Sequence, residues 1–243
     1  MRIVLFSIYG FNIHSHGVFL VLSLVIGGWL LFRLAKRESL SIKYFFSNYL
    51  ISIIVGILGS RILFYLINLK YYQSIYQIFN IWQGGLISFA GFVFGIITFL
   101  IFLKLQKQNS SAWLDLAGII FALAIAIGRI GCVLNGEFGI KTNSIFAIYG
   151  YMPVTAFEIF ICSLIFVINF YLYLRFKRHL PPYTFFFLFV VLYSFSKILI
   201  DQWRIDPSII IGINLSQLFS LFIFIVAIII FGLYLYRRKV RLQ

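Results

Sequence analysis

Three groups that lipid excludes stand close together in GRIGCVLNGEFGI, the stretch from Gly128 to Ile140: Arg129, Asn135 and Glu137. Placing a charged side chain at the centre of a spanning helix costs about 2.5–3.5 kcal/mol on translocon scales, so such residues face a protein interior or a polar cavity. A second group, Tyr193, Lys197, Asp201 and Arg204, falls within about 80° of arc on a helix, because each residue advances about 100°. On that face Lys197–Asp201 and Asp201–Arg204 can pair. Thr155, Glu158 and Cys162 share a face of a third segment, and Arg61 stands in a fourth. Asn12, His14 and His16 open a fifth, and Asn214 and Gln217 open a sixth. Gly84 and Gly85 begin a further segment, whose free amides could hold an anion. Charge pairing, anion binding and proton exchange are the chemistry such groups allow. Each also has a plain structural reading, as an interhelical ion pair, a packing glycine or a solvated histidine. Their convergence is what favours a site.

The elements that must position them are membrane spans. The chain has 243 residues, 63% hydrophobic and 11% charged, with a mean hydropathy of +1.05. A soluble domain of this length could not cover so much apolar surface. Seven apolar segments reach the ~20 residues a spanning helix needs, at 14–34, 47–68, 84–104, 113–134, 154–174, 183–201 and 214–236. The expected fold is therefore an all-α polytopic integral membrane protein, one transmembrane domain over 1–243. The first segment lacks a basic leader and a small-residue cleavage pattern, and reads as a retained helix.

Basic residues in alternate loops set the orientation. Arg33, Lys36, Arg37, Lys43, Lys104, Lys107, Arg175, Lys177, Arg178, Arg237, Arg238, Lys239 and Arg241 fall on one side, 13 of the 20. Arg2, Lys70, Lys141 and Arg204 fall on the other. This predicts an outside N-terminus and a cytoplasmic C-terminus. It also accounts for most of the +14 net charge without nucleic acid as a partner; anionic lipid is a further contact for the basic loops. In this orientation the polar residues of five spans gather in the outer half. Asp115 is the exception, expected to complement the dipole at the cytoplasmic start of its own helix. Gly56, Gly59, Gly91 and Gly95 are expected to let helices approach closely. Cys132 and Cys162 imply no disulfide framework, and no metal-ligand spacing is present, so neither metal nor cofactor is expected.

The segment GRIGCVLNGEFG resembles the GRxGNFxNGExxG signature of prolipoprotein diacylglyceryl transferases. WQGGLISFAG is similar to that family's Trp-x-Gly-Gly segment, and GILGSRILFYLI to its Arg-containing second helix. MPVTAFE resembles its His-Pro-x-Gln-x-Tyr-Glu, YSFSKILIDQWRID its Tyr-x-x-x-Arg-x-x-x-Glu-x-x-Arg-x-x-Asp, and NLSQLFS the start of its last helix. The matches run in family order over most of the chain. The resemblance implies transfer of the diacylglyceryl group of phosphatidylglycerol, or a related phospholipid, to the lipobox cysteine thiol of a prolipoprotein, with formation of a thioether and loss of glycerol phosphate. It implies a site in the bacterial cytoplasmic (inner) membrane that faces the outer leaflet, with phospholipid donor and lipobox peptide as partners. Arg129, Glu137, Arg204 and His16 are then the expected catalytic residues. Arg61, Asn135, Glu158, Tyr193, Lys197, Asp201, Gly84, Gly85 and Gln217 are the expected substrate-binding ones.

The chain departs from the family pattern at several positions. Phe89 stands where a histidine or tyrosine is expected, Cys132 replaces an asparagine, and His16 falls where the first helix carries a tyrosine. Met152 and Thr155 replace a histidine and a glutamine, and Lys197 and Asp201 replace an arginine and a glutamate. Either His16 or a carboxylate then supplies the base missing at Phe89, or the chain is a catalytically inactive relative that binds phospholipid or lipoprotein precursors.

Overall fold

The computed structural model describes residues 4–8, 11–69, 76, 78, 85, 87–205, 208–210 and 213–242. Among the described residues seven α-helices carry the fold: α1 (Ser15–Arg37), α2 (Phe45–Ile67), α3 (Ser88–Leu105), α4 (Ser110–Asn135), α5 (Val154–Phe176), α6 (Thr184–Ile200) and α7 (Leu215–Leu242). Six of them are long and apolar enough to cross a membrane, and α3 carries a shorter apolar run, Ala90–Leu105. The chain is an all-α polytopic membrane protein. All seven expected segments are helices, with ends displaced by a few residues. Two short antiparallel hairpins stand outside them: β1 (Val4–Ile8) with β2 (Phe11–His14), and β3 (Ser208–Ile210) with β4 (Ile213–Asn214). The sequence pattern did not announce these hairpins.

Contacts within the chain gather into two compact units. Phe32–Ser110 form one, and Met1–Leu31 with Ser111–Gln243 the other. In the smaller unit α2 and α3 meet through glycines. A methyl group at Gly56 would stand 2.8 Å from the Gly91 carbonyl oxygen, and one at Gly95 would stand 3.3 Å from that of Ser52. One at Gly59 would strike the Phe94 ring. Packing is thus the role of these glycines, since in lipid close backbone approach takes the place of a hydrophobic drive.

In the larger unit α4, α5 and α6 pack around Ala122, Ile165 and Phe189. A second apolar cluster, Met152, Val154 and Ile200 with Phe157 and Trp203, supports the ends of α5 and α6. Ile225, Ile228, Ile229, Ile230 and Leu233 of α7 are exposed, a surface that acyl chains would cover. Asp115 does not serve its own helix. Its carboxylate accepts from the amides of Tyr183 (2.9 Å), Phe185 (2.8 Å) and Phe186 (3.1 Å). It caps the free N–H groups at the start of α6, which need an external acceptor. Gly118 permits this contact: a Cβ there would lie 2.6 Å from the Phe186 Cα.

Candidate active site

The start of α1, the end of α4, the start of α5, the end of α6 and the start of α7 meet at one end of the larger unit. Local chemistry fixes each of them. Helix α4 stops in a Schellman motif: the Gly136 amide donates to the Val133 carbonyl at 3.0 Å, and the Glu137 amide to the Cys132 carbonyl at 3.1 Å. Gly136 has φ +79°, a conformation that costs other L-residues roughly 1–2 kcal/mol. The turn folds Glu137 back over the last turn of α4. The following loop is a small hairpin. Its base is tied by the Gly139 amide to the Met152 carbonyl (2.8 Å) and by the Ile140 amide to the Trp203 carbonyl (2.8 Å).

Four alternating charges form a chain across α4, α5 and α6. Arg129 Nε lies 2.7 Å from Glu158 Oε2, Lys197 Nζ 2.5 Å from Glu158 Oε1, and Lys197 Nζ 2.7 Å from Asp201 Oδ1. Ser216 donates to the other Asp201 oxygen, and Asn214 Nδ2 donates to the Asp201 carbonyl at 2.8 Å. The exposure is graded. The Arg129 side chain keeps 22% of its surface, whereas Lys197 keeps 8%, Glu158 2% and Asp201 none. Two positive and two negative charges cancel, which limits the cost of carrying them into a low-dielectric interior.

Beside Arg129 lies a second group. His16 Nδ1 is 3.3 Å from Cys132 Sγ, and Arg129 Nη1 is 3.8 Å from the same sulfur. A carboxylate oxygen of Glu137 joins His16 and Cys132 within 4.8 Å. Ser15 Oγ reaches Gly131 O at 3.4 Å and Asn135 Oδ1 at 3.3 Å, and so holds α1 against α4. Gly131 allows the approach, since a Cβ there would be 2.9 Å from the His16 Cα. Thr155 Oγ1 donates to the Glu137 carbonyl at 2.8 Å. Tyr193 stacks on Phe189 at 5.6 Å and interacts electrostatically with Glu158 and Arg129.

The expected residues therefore divide. Arg129, Glu158, Lys197 and Asp201 are brought together as one ion chain, and His16, Asn135 and Glu137 as its neighbours. Arg204 stands just past Asp201, its amide donating to the Asp201 carbonyl at 3.2 Å. Gln217 closes a capping box. Its Oε1 accepts from the Asn214 amide (3.2 Å), its own amide donates to Asn214 Oδ1 (2.8 Å), and its Nε2 donates to the Ile198 carbonyl (3.2 Å). Its polar atoms are thus engaged within the protein. Arg61, in the smaller unit, is 2% exposed and donates to the carbonyls of Ile78 (3.0 Å) and Gly85 (3.2 Å). It clamps a loop there. Gly85 has φ +78° and lies before the start of α3 at Ser88, so it does not supply the first amides of that helix; Gly84 lies outside the described residues. Phe89 falls in the first turn of α3. Cys132, Ser15 and Ser216 are the contributors that sequence reasoning passed over. The Asn214-x-x-Gln217 spacing was a readable signal for the capping box.

A polytopic membrane protein with a charge-compensated arginine at one end of its bundle is the class that fold and site define. The family model for prolipoprotein diacylglyceryl transferase matches residues 3–233, and the chain belongs to that family. It is 28% identical over 233 residues to the phosphatidylglycerol–prolipoprotein diacylglyceryl transferase of Thermotoga maritima, covering 89% of this chain and 79% of the relative. The enzyme of that name from Clostridium tetani is 26% identical over 250 residues, covering 98% of this chain and 100% of the relative. The one from Campylobacter jejuni is 31% identical over 253 residues, covering 95% and 92%.

Proposed function

We propose that the chain transfers the diacylglyceryl group of phosphatidylglycerol to the lipobox cysteine thiol of a prolipoprotein, at the end of the larger unit where Arg129 and His16 meet. The observation that carries this assignment to residues is the contrast in exposure within the ion chain, Arg129 keeping 22% of its side-chain surface and the other three members 8% or less. Glu158 fixes Arg129 through Nε, and Lys197 and Asp201 hold Glu158 in turn. The guanidinium remains the exposed end of a buried, neutral series. A phosphate oxygen can reach the fork without stripping a charge from the interior.

In the reaction the acceptor sulfur attacks a glyceryl carbon of the donor. An S–C bond forms, and the C–O bond to phosphate breaks with its electron pair on oxygen. Glycerol phosphate leaves as an anion, and Arg129 stabilises the charge that develops on it. The thiol must give up its proton to attack. His16 is exposed, and a carboxylate oxygen of Glu137 lies within 4.8 Å of its ring nitrogen. Phe89 has no proton to exchange, whereas His16 Nδ1 stands 3.3 Å from Cys132 Sγ, which is itself 3.8 Å from Arg129 Nη1. Glu158, Lys197 and Asp201 act as positioning residues behind Arg129.

The 13-to-4 distribution of loop cations supports placing this end at the outer leaflet of the bacterial inner membrane. There a phospholipid can enter sideways and a secreted precursor can meet it. The named relatives are all transferases, and a binding-only role is not favoured. The test is lipidation of a lipobox peptide by the purified chain in phosphatidylglycerol vesicles. Arg129→Ala should lower turnover by about 10²–10³, the cost of removing a donor to a developing oxyanion. Arg129→Lys should recover part of it, because a point charge replaces a fork. His16→Phe should stop turnover while phospholipid binding persists. Normal lipidation by His16→Phe would move the base elsewhere, and normal lipidation by Arg129→Ala would overturn the assignment.

A further inference from the structure

We infer that His16, Cys132 and Glu137 form a site for a zinc-class divalent cation, and that its occupancy silences the imidazole required for lipidation. No linear ligand spacing announces the site, because three separate devices build it. His16 enters from the first turn of α1, Cys132 from the last turns of α4, and Glu137 from the Schellman turn that reverses the chain over Cys132. One ligand atom from each lies within 4.8 Å of the others.

The geometry suits a small tetrahedral ion. Zn–S of about 2.3 Å and Zn–N of about 2.0–2.1 Å at a tetrahedral angle put nitrogen and sulfur about 3.6 Å apart. His16 Nδ1 and Cys132 Sγ already stand at 3.3 Å. Glu137 is exposed, and its carboxylate oxygen lies within 4.8 Å of both other ligand atoms. A mixed N, S, O donor set with one thiolate favours zinc over magnesium or calcium, which prefer oxygen throughout. Three protein ligands leave a fourth position for water. The ion has a path in, since His16 and Glu137 are exposed, while the sulfur is buried at 2%. The thiolate and the carboxylate neutralise a dication, the Arg129 guanidinium 3.8 Å from the sulfur is balanced by its own pair with Glu158, and binding releases the thiol proton to water. No bond is oxidised or reduced.

Coordination occupies the Nδ1 lone pair and fixes the imidazole. A histidine so held cannot accept the thiol proton, so the second half of the inference rests on the transferase reading given above. The experiment separates the two. The full-length chain, purified in detergent and stripped with chelator, is titrated with Co²⁺ as a spectroscopic probe. The expected result is a one-to-one thiolate-to-cobalt charge-transfer band that Zn²⁺ displaces. Cys132→Ser should abolish the band. His16→Gln and Glu137→Gln should each weaken binding by more than the roughly 10–100-fold that loss of an outer partner costs. Thermal unfolding of each variant without metal checks that the fold persists, and the two exposed positions keep the test informative if Cys132→Ser does not fold. No band, or a band unchanged in all three variants, overturns the site. Lipidation is then measured with Zn²⁺ and after chelator. Reversible inhibition of the wild-type chain supports the coupling, and an unchanged rate with zinc bound overturns it. Metal binding by a chain that lipidates nothing under any condition supports the site and overturns the transferase reading.

Discussion

Removing single members of the ion chain should destabilise the protein in the order Lys197, Glu158, Arg129. Lys197→Met leaves the Asp201 carboxylate with the Ser216 hydroxyl, Asn214 holding only its backbone carbonyl, and leaves Glu158 with Arg129. Two carboxylates then face one cation in a site where Glu158 keeps 2% of its surface and Asp201 none. Breaking a buried ion pair from one side costs about 3–5 kcal/mol, most of it the charge left behind. The upper part of that range applies here. Glu158→Gln leaves Lys197 paired with Asp201 and frees Arg129, which can turn its 22% exposed side chain outward; about 3 kcal/mol is expected. Arg129→Ala leaves Glu158 on Lys197, and the lost pair is open to solvent only on the Arg129 side, where 22% of the side chain is exposed, so about 1–2 kcal/mol lies between the exposed and buried limits. The double variant Lys197→Met/Asp201→Asn restores neutrality and should recover at least half of the single loss, since neighbours in one network are not additive. Reversible unfolding in bicelles, followed by steric trapping, measures each difference. Equal costs for Arg129→Ala and Lys197→Met, or no recovery in the double variant, would refute the reasoning.

Three further outcomes are expected. Gly136→Ala should cost about 1–2 kcal/mol in the same assay because φ +79° is strained for alanine, whereas Gly136→Asn should cost less, asparagine being tolerated at that cap; equal losses would count against the Schellman turn. Asn169 is fully buried on α5, and neither of its amide atoms finds a hydrogen-bond partner among the described residues. Asn169→Leu should therefore leave stability unchanged or raise it by about 1 kcal/mol, and a clear loss would mean that the amide has work to do in the membrane. A cysteine at Ser144 should react with an impermeant maleimide added outside cells and one at Lys177 should not; the reverse pattern would invert the proposed orientation and remove the site from the outer leaflet.

The spans were legible because hydrophobic length is a local property that tertiary contacts only trim. The Lys197–Asp201 pair was legible for a similar reason: helical spacing alone brings residues four apart together. What escaped were partnerships between segments. Nothing near Asp115 says that its carboxylate will cap α6, some seventy residues away, rather than its own helix. Arg61 looked like a site cation because its burial was foreseeable, but the carbonyls that claim it belong to a loop without periodicity. Cys132 read as a replacement of the family's asparagine, with no partner assigned to it. Its contact with His16 follows only once α1 and α4 run antiparallel with Gly131 between them. Gln217 was assigned to substrate from its depth, although its spacing from Asn214 already described a cap.

The Asp115 cap has a mechanical consequence. It fastens α4 to the start of α6, while Arg129, through Glu158 and Lys197, fastens α4 to the far end of α6. The two fastenings lie about 21 Å apart along α4, at about 1.5 Å per residue. A pair of helices pinned at both ends cannot slip by one turn, about 5.4 Å, without breaking charged contacts at two depths together. Helices α4, α5 and α6 thus make a rigid chassis. A two-tailed lipid therefore cannot enter by sliding α4 past α6, and α7 is tied to the same end of α6 through Ser216 and Asp201 and through Gln217 and the Ile198 carbonyl, so its row of exposed isoleucines is a fixed wall for acyl chains to lie against and not a moving panel.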